Sequence, residues 1–218
     1  MFFKNLKYKY LLDKMNELHH HPFFSFTKIN SIAETETFYK DIINTYTNNM
    51  NIIEQQCRLI NTCQKGCNYC CQQCITISAA EGLLISRAVE KLPYKEREKI
   101  RKRNDIIVKK MGEVGLPTTS QEFVKNIYLN NEMYFNMHLQ CPFNSEEGEC
   151  KIYEVRPIVC WQYRSYGTKN ECKDKINPKY TLPTCNNEYL QNALYMRSKN
   201  FIEEDNIYLL PQFLKKKL

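Results

Sequence analysis

The sequence predicts a mostly α fold, a single helical domain with irregular Cys-rich loops. Three observations predict it. Apolar residues recur at three- and four-residue steps over several long segments. Strand-like alternation is nearly absent, with Ile75-Thr76-Ile77 the main short extended piece. The cysteines fall mainly into two groups, each placed between helical segments.

Residues 1–33 read as an N-terminal extension rich in Lys, Tyr and Phe. It contains His19-His20-His21, whose adjacent side chains do not converge well on one ion and read as a solvated loop before Pro22. From 34 to 60, Phe38, Ile42, Tyr46, Met50, Ile53 and Cys57 form one face of an amphipathic helix. Cys57 on that face reads as a small buried hydrophobe. This helix leads into Cys63-Gln64-Lys65-Gly66-Cys67-Asn68-Tyr69-Cys70-Cys71, where Gly66 supplies the positive φ that a tight ligand loop needs. Cys74 follows just after.

Ser78 and Glu81 form a capping-box pattern, opening a helix to about 92 with Leu84, Ile85, Ala88 and Val89 inward. Pro93 breaks it. The next helix, 94–111, carries Lys95-Glu96-Arg97-Glu98-Lys99-Ile100-Arg101-Lys102-Arg103, a mixed-sign run that reads as a solvated face with i,i+4 pairs. Residues 112–117 form a turn, and Ser120 caps a third helix to 138 with Phe123, Ile127, Tyr134 and Met137 inward. His138, three residues before Cys141, is given a structural role, with ligation as the alternative. Residues 141–185 hold Cys141, Cys150 and Cys160, then Cys172 and Cys185. A last helix, 187–201, has Tyr189, Ala193 and Met196 as its seam, and 201–218 reads as a C-terminal tail. The cysteine-cluster domain is thus expected to span 34–200.

Composition sets the outer limits. The chain has 218 residues, 43% hydrophobic and 25% charged, enough to bury a core. Six Gly and eight Pro argue against long linkers, and no internal repeat is visible. The net charge of +7 suits an acidic partner, but no nucleic-acid motif accompanies it, so it reads as a basic soluble surface. A protein substrate or partner stays open. No run of 18 apolar residues offers a membrane span, and the first ten residues lack a signal-peptide core. Eleven Cys is an odd number, so disulfides cannot pair them all within one chain. Thiolates on metal in a reducing cytoplasm account for them better.

Cys63, Cys67, Cys70, Cys71, Cys141, Cys150 and Cys160 are seven candidate metal ligands, and one tetrahedral ion consumes four. Adjacent Cys70 and Cys71 rarely bind one ion together without strain. An iron–sulfur cluster or a pair of metal ions uses this supply better than one ion, and iron–sulfur and Zn2+ both remain open. The Cys63-x3-Cys67-x2-Cys70 spacing also resembles the cluster loop of radical SAM enzymes, but the helix before it and the lack of strand–helix alternation do not suit their barrel.

Longer motifs carry a closer resemblance. Lys65 to Cys71, then Ser78-Ala79-Ala80-Glu81-Gly82, Cys141-Pro142-Phe143, and Gly148 through Tyr153 to Arg156-Pro157-Ile158-Val159-Cys160 resemble the YkgJ-type cysteine-cluster family, the zinc- or iron-chelating CxxxCxxCC domain. The resemblance implies a bound metal centre. It also implies a relation to flagellin lysine-N-methylases, and hence protein modification as an alternative activity. Many members have Arg after the last motif cysteine where this chain has Trp161, and Arg164 is a candidate substitute. Arg156 is expected either to offset thiolate charge or to make a structural ion pair. Tyr69, Tyr153 and Trp161 are candidate shields against water.

No Ser/His/Asp set, paired-carboxylate motif, P-loop or GxGxxG is present, so no reaction follows from the residues and catalytic residues are not assigned. An enzyme and a metal-binding module remain as the two function classes. Open metal coordination marks the first and closed all-thiolate coordination the second.

Overall fold

The computed structural model describes residues 2–19, 28–64, 66–176, 178–182, 188–199, 202 and 207–218. His20, His21 and Cys185 lie outside them. The chain is mostly α, as its periodicity requires, and its described strands form one two-stranded sheet. By its internal contacts it divides into two compact units, 1–64 with 161–203 and 65–160 with 204–218.

The first unit contains α1 (Phe2–His19), α2 (Ile32–Cys57), α8 (Lys169–Asp174) and α9 (Glu188–Ser198). Ser31 caps α2 by accepting from the Glu34 N–H at 3.2 Å, so the helix starts at Ile32, two residues before the expected 34. Ile42, Tyr46, Met50, Ile53 and Cys57 are buried as the i+3/i+4 pattern requires. Leu11 and Met15 of α1 are buried too. Of the expected α9 seam, the Tyr189 side chain lies outside the described ones and Ala193 is half-buried. Leu190, Leu194 and Ser198, spaced at i+4, are the buried positions, and Met196 is exposed.

The unit's centre holds charge. Arg164 donates to Glu54 Oε1 at 2.8 Å with both side chains almost wholly buried, and the Tyr166 hydroxyl donates to the same oxygen at 2.7 Å. The Arg164 guanidinium also lies over the Tyr46 ring. Trp161 Nε1 donates to the Tyr39 hydroxyl at 3.0 Å.

The second unit contains β1 (Thr76–Ser78), α3 (Ala79–Glu90), α4 (Tyr94–Glu113), α5 (Ser120–Lys125), α6 (Ile127–Phe135), β2 (Ile207–Leu209) and α10 (Leu210–Lys217). The short helix α7 (Ile158–Gln162) begins in it and runs past its last residue there, Cys160. β1 and β2 pair antiparallel, Thr76 with Leu209 and Ser78 with Ile207. Residues 207–218 are therefore a strand and a helix rather than a tail. Pro211, which resembles a breaker, sits in the first turn of α10, where its missing N–H costs nothing. Leu210, Phe213 and Leu214 enter a core with Ile77, Ile85, Val89, Ile100, Phe143 and Ile152. At Gly82 of α3 a Cβ would stand 2.7 Å from the Phe213 ring, so this crossing needs glycine or a displaced ring. Asn104 Nδ2 donates to the Pro211 carbonyl at 2.9 Å, tying α4 to α10.

The expected helix over 120–138 is two helices. Thr119, not Ser120, is the cap, accepting from the Glu122 N–H at 3.3 Å. Asn126, at φ −129° and ψ 49°, leaves helical geometry between α5 and α6. Asn130 Nδ2 donates to the Phe123 carbonyl at 2.7 Å, satisfying a buried acceptor near the break.

Candidate metal centre

Three local structures bring cysteines together within the second unit. The first loop begins at Gly66, whose φ of +86° confirms the turn expected of it. Cys67 follows, half-buried. Cys70 and Cys71 then share a 3-10 turn over Tyr69–Gln72, closed where Gln73 N–H donates to the Cys70 carbonyl at 3.1 Å.

The second loop starts after α6. His138 sits at φ +53°, donating its N–H to the Phe135 carbonyl at 3.0 Å, with its ring against Phe135. It acts as the turn residue that redirects the chain toward Cys141, in keeping with the structural role expected. Cys141 N–H donates to the Cys71 carbonyl at 2.7 Å, fastening the second loop onto the first. A tight turn then returns the chain. Gly148, at φ +83°, donates to Ser145 O, and Lys151 N–H donates to Phe143 O at 2.9 Å. Cys150 thereby bridges Asn144. A side chain at 148 would meet Asn68 of the first loop at 3.2 Å. Arg103 departs from the solvated face expected of its run, donating to the Asn144 carbonyl at 2.6 Å. Its neighbour Arg101 does pair on the surface, with Glu98 at 2.8 Å and Asp105 at 3.2 Å.

The third structure carries Cys160. After a 3-10 turn over Tyr153–Val155, α7 begins at Ile158, whose N–H donates to Glu81 Oε1 at 2.8 Å.

Burial and neighbouring charge act on the thiols together. The hydrogen bond between the Cys70 and Cys71 side chains and burial push Cys70 well up. Burial, then the neighbouring Cys150, Cys160 and Cys70, push Cys141 up. Burial dominates at Cys160, which also feels Cys70, Cys150 and Glu81. Cys150 is raised by burial and by Cys70. Cys70, Cys141, Cys150 and Cys160, from both sequence groups, thus lie within electrostatic reach of one another, and Cys71 neighbours Cys70 in the chain.

Opposing effects favour the thiolate. Arg156 pulls Cys70, Cys150 and Cys160 down, while its guanidinium lies 4.5 Å from the Tyr153 ring centroid. Its position is compatible with charge compensation at the thiols, one of the two roles expected of it. The backbone N–H of Phe143 serves the Cys141 sulfur and that of Ile152 the Cys150 sulfur, each two residues onward. Four half-buried thiolates near one guanidinium would carry excess negative charge, which a soft cation would offset. The donor chemistry fits zinc or iron. Among the described residues, no three His, Cys, Asp or Glu side chains stand in ligand geometry.

Cys63 belongs to the first unit, with its N–H on Asn61 Oδ1 at 3.0 Å. Cys57 is buried in α2, as expected, its thiol pushed up by burial and by Glu54. Cys74 is buried among Ile107, Met111 and Phe123, and Cys172 donates to Ser165 Oγ at 3.4 Å. Arg164 does not stand in for a family arginine at Trp161, because its charge is taken up by Glu54 within the first unit. Sequence reading missed Glu81's bond to Ile158, although the capping box had marked the residue.

The site so built defines a clustered-thiol protein. The family model of the CxxCxxCC domain, described as a "putative zinc- or iron-chelating domain", matches residues 62–186, more than half of the chain. The chain belongs to this family. It places three residues rather than two between Cys63 and Cys67. No curated protein and no solved structure matches the chain, so the implied relation to flagellin methylases gains no support. No helix among the described residues is long and apolar enough to cross a membrane.

Proposed function

We propose that the chain binds metal through Cys70, Cys141, Cys150 and Cys160, with Cys67 and Cys71 as neighbouring donors, and that the bound group is an iron–sulfur cluster. The reading is supported by the Cys141 N–H bond to the Cys71 carbonyl, which fastens two cysteine loops together, and by the electrostatic influence of these thiols on one another. Cys63 is retained as a candidate from its spacing alone. The thiols beyond one tetrahedral set, and the adjacent Cys70-Cys71 pair, support a cluster over a single ion. The second reading is Zn2+, favoured by the coupled set numbering four, which is what one structural zinc consumes. Thiols that serve as ligands need a reducing compartment, so the cytoplasm is the proposed location.

The test is anaerobic purification with iron, zinc and sulfide analysis and an absorption spectrum. A brown protein with iron and acid-labile sulfide supports the cluster. A colourless protein with stoichiometric zinc and no iron selects the second reading, and a metal-free protein refutes both.

A further inference from the structure

Glu81 is 1% exposed, and its two carboxylate oxygens serve different parts of the unit. Oε2 accepts from the Ser78 N–H at 2.7 Å and the Ser78 hydroxyl at 2.8 Å, closing the capping box of α3. Oε1 accepts from the Ile158 N–H at 2.8 Å, 77 residues away. Pro157 has no N–H, so Ile158 offers the first backbone donor of the segment that carries Cys160. The Cys160 N–H donates to Pro157 O at 2.8 Å, so whatever fixes Ile158 also fixes the turn bearing that sulfur.

A capping box needs only one carboxylate oxygen. The second oxygen is free to act elsewhere, and here it reaches the last of the three cysteine structures. α3 is anchored in the apolar core through Leu84, Ile85 and Val89. Glu81 thus joins a rigid element to a short one of five residues. We propose that Glu81 is a positioning residue of the metal centre, holding Cys160 at the distance from Cys70 and Cys141 that lets their sulfurs close on one ion. This rests on the metal-binding reading above. Outer groups that orient ligands typically cost 10–100-fold in metal affinity when removed.

Ser78→Ala serves as the control, since it weakens the α3 cap and leaves Oε1 on Ile158. Glu81→Gln keeps the shape but replaces one acceptor oxygen with a donor. Glu81→Asp keeps the charge but is one methylene too short to span Ser78 and Ile158 together. Zinc affinity of the reduced chain is measured by competition with a chromophoric chelator. In parallel, alkylation rates of Cys160 and Cys141 are compared by mass spectrometry on metal-free protein.

Both Glu81 variants are expected to bind zinc about 10–100-fold more weakly. Ser78→Ala is expected to stay within about twofold of the wild type while losing stability. The Cys160-to-Cys141 alkylation ratio should rise only in the Glu81 variants. Should Glu81→Gln fail to fold, Glu81→Asp carries the test. Unchanged affinity and alkylation in the Glu81 variants, or an equal loss in Ser78→Ala, overturns the proposal. A wild-type chain that takes up no metal while the alkylation ratio still shifts refutes the metal reading and leaves the placement of Cys160 by Glu81 standing.

Discussion

Each of the two units buries a carboxylate, and each carboxylate ties together parts of its unit that are distant in sequence. In the first, Glu54 meets a full positive charge on Arg164, with the Tyr166 hydroxyl as a further donor. In the second, Glu81 accepts from the backbone N–H groups of Ser78 and Ile158 and from the Ser78 hydroxyl. A buried charge needs either a counter-charge or several aimed dipoles. The ion pair ties Arg164 to α2, whereas the dipole solution lets one carboxylate organise two backbone segments.

Breaking the ion pair should have the largest effect. Arg164→Met leaves Glu54 buried without its counter-charge, and removal of one partner from such a pair typically costs about 3–5 kcal/mol. Denaturant unfolding should show that loss. Arg164→Met combined with Glu54→Met should recover most of it, because an apolar pair needs no compensation.

Ser78→Ala tests the dipole solution at its weaker end. It removes a cap acceptor and one donor to Glu81, an expected loss of about 1 kcal/mol. A loss as large as that of Arg164→Met would mean that the two solutions do not differ as described.

Alkaline pH probes both units with a smaller slope. Burial raises the thiols of Cys57 in the first unit and Cys74 in the second from the usual 9.0. An acid with a raised folded pKa contributes stability that is fully present below its unfolded value and is lost as pH rises through the folded one. The metal-free protein should therefore lose stability as pH climbs above 9.0, and Cys57→Ala and Cys74→Ala should each flatten that slope. The exposed Arg101, paired with Glu98 and Asp105, sets the floor. Arg101→Ala should barely move the melting temperature, and 1 M salt should abolish the difference.

Short-range chemistry was legible in the sequence. The capping box at Ser78, the α2 stripe, the glycine turn at 66 and the two cysteine groups all follow from residues within one or two turns of each other. What escaped depends on distant partners. Glu54 lies 110 residues from Arg164, so nothing local marks Arg164 as the partner of a buried carboxylate. Ile207–Leu209 becomes a strand because Thr76–Ser78 pairs with it, and three residues carry no usable alternation on their own. The break at Asn126 was hidden because Phe123, Ile127 and Tyr134 keep a helical spacing across it. The Glu81–Ile158 bond was half legible, since the cap names the carboxylate but not the second donor.

The central claim is that thiols from separate loops form one metal centre. Its most direct test is the metal content per chain of anaerobically purified wild type, Cys160→Ser and Cys57→Ser. Wild type and Cys57→Ser should carry the same stoichiometric iron or zinc, while Cys160→Ser should lose most of it. Equal metal in all three proteins, or none in the wild type, would contradict the account.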